Sequence, residues 1–253
     1  MMNKQTTGRL TQNVAIITGV SHAGQVGFAL ATALAHEGAS VAISSRSAER
    51  VQARAQELLA REPGAAVLGV PADLTTEEGA QHLVQETLRA YNRIDILVNL
   101  AGGLTKYGPA AELSLADWNA ELNNNLRTTF LCTRAVWPVM QQQGGGKILN
   151  FSRAGGVQSA GPNMAAYNAA KAGVDALTLT FAKEGKKFGI IVNALGPGLI
   201  VTQANLDSMH PSPEDLAKKW VSMEQIIEAA LFLVSPASDG VTGALLPVQG
   251  RGI

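Results

Sequence analysis

Cysteine is almost missing from this chain of 253 residues: Cys132 is its one thiol. No intramolecular disulfide can form, so the fold has to be held by its core. Cys132 follows TTFL in an apolar helical stretch, where a buried structural thiol is expected rather than a reactive one. Aromatic residues are scarce at 5%, and neither sign of charge is in excess, with 20 Lys and Arg against 20 Asp and Glu. That balance leaves no electrostatic footprint for DNA, RNA or an anionic membrane. No apolar run reaches the length of a membrane span. The opening MMNKQTTGRLTQN is polar and lacks the apolar region of a signal peptide. A soluble protein of the reducing cytoplasm is therefore expected, with residues 1–12 a flexible leading segment and 13–253 a single domain.

What is present is apolar, ordered and alternating. Hydrophobic residues make up 46% of the chain, enough for a sizeable core. NVAIIT, SVAISS, AAVLGVPAD, RIDILVN, GGGKILNFS, GIIVNAL and ALLPVQG read as seven strands. Amphipathic or apolar helical segments separate them, among them AERVQARAQELLARE, TEEGAQHLVQETLRAY and MEQIIEAALFLVS. Strict strand–helix alternation predicts a parallel sheet joined by right-handed crossovers with helices on both faces, an α/β doubly wound fold. One long helix is expected over 115–143, opened by Ser114 with Asp117 in its first turn, and kinked or ended by Pro138. A second is expected over 163–187. Residues 203–222 carry two prolines and polar clusters, and read as a loop or short helices over a site, or as a plain surface loop.

Chemistry concentrates at strand ends. TGVSHAGQVG lies between the first strand and first helix, where Gly19, Gly24 and Gly27 permit close backbone approach to a pyrophosphate at a helix N-terminus. The second strand ends in SVAISSRS, with no carboxylate to bind a ribose 2′-hydroxyl. Arg46 suits a 2′-phosphate instead, which favours NADP(H) over NAD(H); a solvated arginine at a helix start is the alternative. Asp73 of PADLT can accept from an adenine amino group or cap the next helix, and Asn99 and Gly102 of NLAGG can hold backbone near a cofactor or form a simple turn. Tyr167 and Lys171 of YNAAK lie one helical turn apart. An ammonium beside a phenol favours the phenolate and suits acid–base work.

In this order and spacing, TGVSHAGQVG, ADL, NLAG, WNAELNNNL, KILNFS, YNAAK, VNALGPGLIVT and VTGALLPVQG resemble the short-chain dehydrogenase/reductase family in its classical form, from about Asn13 to Gln249. The resemblance implies a single Rossmann-fold domain with a seven-stranded parallel sheet, usually a homodimer or homotetramer. It implies an NAD(P)(H)-dependent oxidoreductase acting on a small-molecule carbonyl/alcohol pair, with no metal. By position it implies Tyr167 as acid/base, Lys171 as the residue that binds the nicotinamide ribose and lowers the phenol pKa, and Asn125 as support for a proton-relay water. Cofactor contacts are implied for Gly19, Ser21, Gly24 and Val26, for Asp73 and Leu74, for Asn99, Ala101 and Gly102, and for Pro197, Gly198, Ile200 and Thr202.

Three departures stand out. The glycine loop is two residues longer than the usual pattern between Ser21 and Val26, a length found in the enoyl-reductase branch, whose tyrosine and lysine are spaced more widely than in YNAAK. Strand five ends in NFSR, so Ser152 holds the first of two usual serine positions and Arg153 the second. Either Ser152 swings into the catalytic place, or Arg153 offers a cationic donor, or Arg153 is exposed and the serine role is absent; the last reading allows a nucleotide-binding sensor with weakened turnover. The region after Thr202 is short, leaving Leu199, Leu206, Met209 and Trp220 to line a pocket or to fill the core.

Overall fold

The computed structural model describes residues 8–250. The β-rich runs form β1 (Val14–Thr18), β2 (Ser40–Ser45), β3 (Val67–Pro71), β4 (Ile96–Asn99), β5 (Gly146–Phe151) and β6 (Ile190–Pro197). After a short pair, β7 (Leu199–Ile200) and β8 (Trp220–Val221), comes β9 (Leu245–Val248). The helices are α1 (Val26–His36), α2 (Ala48–Arg61), α3 (Glu77–Tyr91), α4 (Leu115–Leu122), α5 (Thr128–Gln143), α6 (Ala165–Gly185), α7 (Gln203–Met209), α8 (Pro213–Lys219) and α9 (Met223–Val234).

Seven strands make one sheet in the order β3-β2-β1-β4-β5-β6-β9, every pairing parallel. Alternate residues feed opposite cores. Ala15 and Ile17 of β1 pack with α1, α2 and α9, while Ile16 packs with α3, α5 and α6. Both faces are covered, which is why the strands are apolar throughout rather than at every second position. The expected α/β doubly wound single domain is what the chain forms.

The order reverses between β1 and β4, and a crevice opens beyond their C-terminal ends. Thr18 knots these two strands. Its hydroxyl donates to Val98 O (3.2 Å) and accepts from Leu100 N and Ala101 N (2.9 Å each).

Several sequence expectations change. The leading segment is packed from residue 8: Leu10 is 1% exposed in the α1–α9 core, and its N–H donates to Glu37 O at 2.9 Å. Leu10 and the Arg9 guanidinium, 2.6 Å from the Glu37 carboxylate, fasten it; residues 1–7 lie outside the described residues. The long helix at 115–143 is two α-helices joined by a π-helical turn at Asn123–Arg127. The carbonyls of the widened turn are met by threonine hydroxyls, Thr128 to Asn124 O and Thr129 to Asn125 O, both at 2.9 Å. Pro138 does not end the helix, which continues to Gln143. Residues 203–219 form two seven-residue helices, each opened by a side-chain cap.

Candidate active site

A cleft of about 280 Å³ lies at the reversal point. Gly19, Ser21, His22 and Gln25 line it from the glycine loop, Arg46 and Arg50 from the end of β2 and start of α2, Asp73 and Leu74 after β3, and Ala101, Gly102 and Gly103 after β4. Gly19 has φ +79°, and a Cβ there would sit 2.8 Å from the Ala101 Cα. Only glycine lets the two turns approach so closely. α2 and α3 are capped by the side chains of Ser47 and Thr76, but α1 has no side-chain cap and no acidic residue in its first turn. Its free N–H groups and positive dipole end suit a pyrophosphate, so the residues present fit a dinucleotide. Gly24 and Val26 do not line this cleft.

Asp73 holds one carboxylate oxygen against Thr75, accepting from its N–H (3.0 Å) and its hydroxyl (2.7 Å). These bonds, helped by the charge of Arg46, keep its pKa below the ordinary carboxylate range. The Asn99 side chain is buried, at 3% exposure. Its Nδ2 donates to Thr133 Oγ1 (3.0 Å) and Asn150 Oδ1 (2.9 Å), and Asn150 reaches Thr178 in turn. That chain of amides and hydroxyls ties β4 and β5 to α5 and α6. The Nδ2 donors are satisfied there, while the buried Oδ1 has no partner among the described residues.

Asn125 sits in the π-helical turn and is fully buried. Its Oδ1 accepts from Gly103 N (2.9 Å); its Nδ2 donates to Gly103 O (3.1 Å), Glu121 O (3.0 Å) and Glu121 Oε2 (3.1 Å). Gly102 has φ +136°, and a Cβ there would come within 2.5 Å of Asn125 Oδ1. Gly102→Ala is therefore expected to lower kcat/KM at least about tenfold, since the amide must move or the loop must strain by about 1–3 kcal/mol. Steady-state kinetics beside a melting curve checks this.

α6 presents Tyr167 and Lys171. The Lys171 ammonium is buried, donates to Phe151 O at 2.7 Å and lies 5.6 Å from the centre of the Tyr167 ring. Burial pushes its pKa down to about 8, against the opposing pull of Asp175 and Glu121. The unfolded chain therefore binds this proton more tightly. Wild-type stability should rise relative to Lys171→Met between pH 8 and 10.5, as urea unfolding at stepped pH would show. The Tyr167 phenol behaves otherwise than the sequence suggests. Burial raises its pKa, Glu121 raises it further, and the cation that pulls it down is Arg153.

Ser152 and Arg153 part company. Ser152 is 5% exposed; its N–H donates to Leu195 O (2.8 Å) and its hydroxyl faces Lys171 O at 3.5 Å, beside Asp175. The hydroxyl is thus turned to the backbone of α6. Arg153 is not a free surface residue, since its guanidinium donates to the Asn168 side chain and to Ser159 O (2.9 Å). Its backbone lies against Gly196, where a Cβ would meet Arg153 O at 2.5 Å. The segment after β6 is fixed by Gly198 N donating to Val248 O (2.8 Å), and the Thr202 hydroxyl caps α7. Ile200 pairs with Val221 in the small parallel sheet. Trp220 is core at 6% exposure, while Leu199 and Met209 are exposed. Cys132 is buried and its thiol pKa is pushed up to about 12, so it is inert.

Sequence reasoning overlooked Glu121, Arg50 and Asn168. Glu121 lies four residues before Asn125 and Arg50 four after Arg46, the helical spacing that joins Tyr167 to Lys171.

The enoyl-(acyl carrier protein) reductase family model matches residues 19–250. The (2S)-[(R)-hydroxy(phenyl)methyl]succinyl-CoA dehydrogenase subunit BbsD of Thauera aromatica is 37% identical over 246 residues, covering 95% of this chain and 96% of its own. The 3-oxoacyl-[acyl-carrier-protein] reductase of Synechocystis sp. is 35% identical over 245 residues, with 95% and 97% covered. A crystal structure of levodione reductase superposes with a TM-score of 0.86 at 31% identity, covering 95% of this chain and 97% of that one. The chain belongs to the short-chain dehydrogenase/reductase family. It is an oxidoreductase of the kind that moves hydride with NAD(P)(H).

Proposed function

We propose that the protein interconverts a small-molecule carbonyl and its alcohol with NADP(H), using Tyr167 as the acid/base. One observation carries this: a single run of hydrogen bonds and charges joins the dinucleotide cleft to α6. Gly103 and Thr105 of the cleft wall bind Asn125 and Glu121, and Glu121 acts electrostatically on Tyr167 and Lys171.

When bound, the dinucleotide supplies or accepts hydride at the substrate carbon. The chain's own residues do the rest. Gly19, Ser21 and the open end of α1 hold the pyrophosphate, Asp73 and Leu74 the adenine, and Arg46 with Arg50 a 2′-phosphate. Ala101, Gly102 and the 197–202 segment bound the nicotinamide side. Tyr167 passes its hydroxyl proton to the carbonyl oxygen, or takes it from the alcohol. Lys171 keeps positive charge beside that exchange, and Asn125 fixes the adjoining turn.

Arg153 stands in place of a second serine, and its charge on Tyr167 supports retained rather than lost turnover. The names of the relatives support oxo and hydroxy substrates. A second copy of the chain is also part of the reading. Leu122, Leu126 and Phe130 with Gly173 and Leu177 form an apolar depression of about 490 Å³ across α4, α5 and α6, suited to helix packing in a homodimer or homotetramer. Among the described residues no helix is long and apolar enough to cross a membrane, and the one thiol is buried, which agrees with a cytoplasmic setting.

NADPH oxidation across a panel of small ketones and oxo-thioesters tests the proposal. Turnover on at least one member is expected. Tight NADPH binding with no turnover on any would overturn it in favour of a nucleotide sensor.

A further inference from the structure

Glu121 is the most enclosed charged side chain of the site, with 0% exposure. Its Oε1 accepts from Thr105 N (2.5 Å), from Lys106 N (2.7 Å) and from the Thr105 hydroxyl; its Oε2 accepts from Asn125 Nδ2 (3.1 Å). Four donors and no acceptor face its two oxygens, the surroundings of an acceptor-only carboxylate. Asn125 is held as tightly. Gly103 N–H requires Oδ1 on one side, and the carboxylate requires N–H on the other. An amide turned over would set donor against donor and oxygen against oxygen. The same carboxylate ties α4 to the loop after β4, whose Gly102, Gly103 and Thr105 line the dinucleotide cleft.

We propose that Glu121 is a positioning residue of this active site: its carboxylate locks the Asn125 amide in one orientation and pins the 102–106 loop as a wall of the cleft. It acts through Asn125 and the loop, and by its charge on α6. The charged groups around Tyr167 are Arg153 from the segment after β5, Lys171 and Asp175 on α6 itself, and Glu121 from α4. Lys106 of the loop is engaged by Asp117 at 2.9 Å. Glu121 raises the pKa of both Tyr167 and Lys171, so its loss lowers both. The part of the inference that concerns the pH profile rests on Tyr167 being the acid/base.

Glu121→Gln tests it, since it keeps the shape and removes the charge. Either placement of the new amide sets an N–H against Asn125 Nδ2 or against the loop donors. We expect kcat to fall about tenfold to hundredfold. Asn125→Ala, costly alone, should add less than about threefold in the Glu121→Gln background, because coupled residues are not additive. The ionisation assigned to Tyr167 in the pH–rate profile should move to lower pH. Packing alone would shift the melting curve and leave that profile in place.

Unchanged kcat, fully multiplying effects of the two variants, or an unmoved profile would each overturn the proposal. If Tyr167→Phe retains turnover, the catalytic reading fails. If Tyr167 is essential and Glu121→Gln is silent, this inference alone falls. Should Glu121→Gln not accumulate as folded protein, Thr105→Val takes its place at an exposed loop position. It removes one donor, so a fall in kcat/KM of about threefold to tenfold is expected with the melting curve unchanged. Unaltered kinetics would overturn the loop half of the proposal.

Discussion

Tyr167→Phe should lower kcat about a thousandfold, while NADPH affinity and melting temperature stay close to wild type. The reason is geometric. The substitution keeps the half-buried ring and its place near the Lys171 ammonium, 5.6 Å from the ring centre, and deletes only the hydroxyl. The loss therefore measures the proton rather than the fold. Steady-state kinetics with a fluorescence titration of the dinucleotide separates the two. A variant retaining a tenth of the wild-type rate would mean that another group moves the proton, and Arg153 would be the next to examine. The raised phenol pKa sets the pH behaviour. The neutral phenol is the donor, so carbonyl reduction should persist into mildly alkaline pH and decline as pH climbs through the phenol pKa. Alcohol oxidation needs the phenolate and should rise over the same range.

That pKa is also where reading the sequence stopped short. Spacing alone put Tyr167 and Lys171 on one face of a helix, and the structure keeps them there. Spacing could not say that the lysine would aim at the Phe151 carbonyl, or that burial would raise the phenol pKa, with Arg153 as the cation opposing it. The sheet was legible because β-branched, apolar runs alternate with helical periods of sufficient length. SVAISS was read to the residue as β2. The π-helical turn was not legible. Three asparagines and two threonines do not announce a widened turn, and only the threonine bonds back to Asn124 and Asn125 show how it is satisfied. Asn99 was read for its backbone, from its place in NLAGG; where its side chain points is decided by Thr133 and Asn150, 34 and 51 residues on. Long-range partners of this kind leave no local signal. Glu121 went unmarked for the same reason, since a lone acid on a helix reads as a solvated face until the loop from β4 closes over it.

The Arg46→Ala/Arg50→Ala double variant should raise KM for NADPH about a hundredfold and leave KM for NADH within about threefold. A charge-assisted bond to phosphate contributes about 1.5–3 kcal/mol, and two such donors line this end of the cleft. Of the first amides of α2, that of Arg50 is already taken by the Ser47 hydroxyl at 3.2 Å. No carboxylate ends β2 to hold a 2′-hydroxyl, so NADH gains nothing specific from wild type and loses little in the variant. Both arginines are exposed, so salt screens them. The NADPH preference of the wild type should therefore shrink as ionic strength rises, and the variant should show no such trend. Asp73 supplies an independent readout. Arg46 helps hold its pKa down, so that pKa should move up toward the ordinary carboxylate range in the variant, while the Thr75 bonds keep part of the depression. Equal KM values for the two dinucleotides before and after substitution would leave the NAD reading in place. A loss confined to NADPH and relieved by neither salt nor pH would locate the 2′-phosphate at these two guanidinium groups.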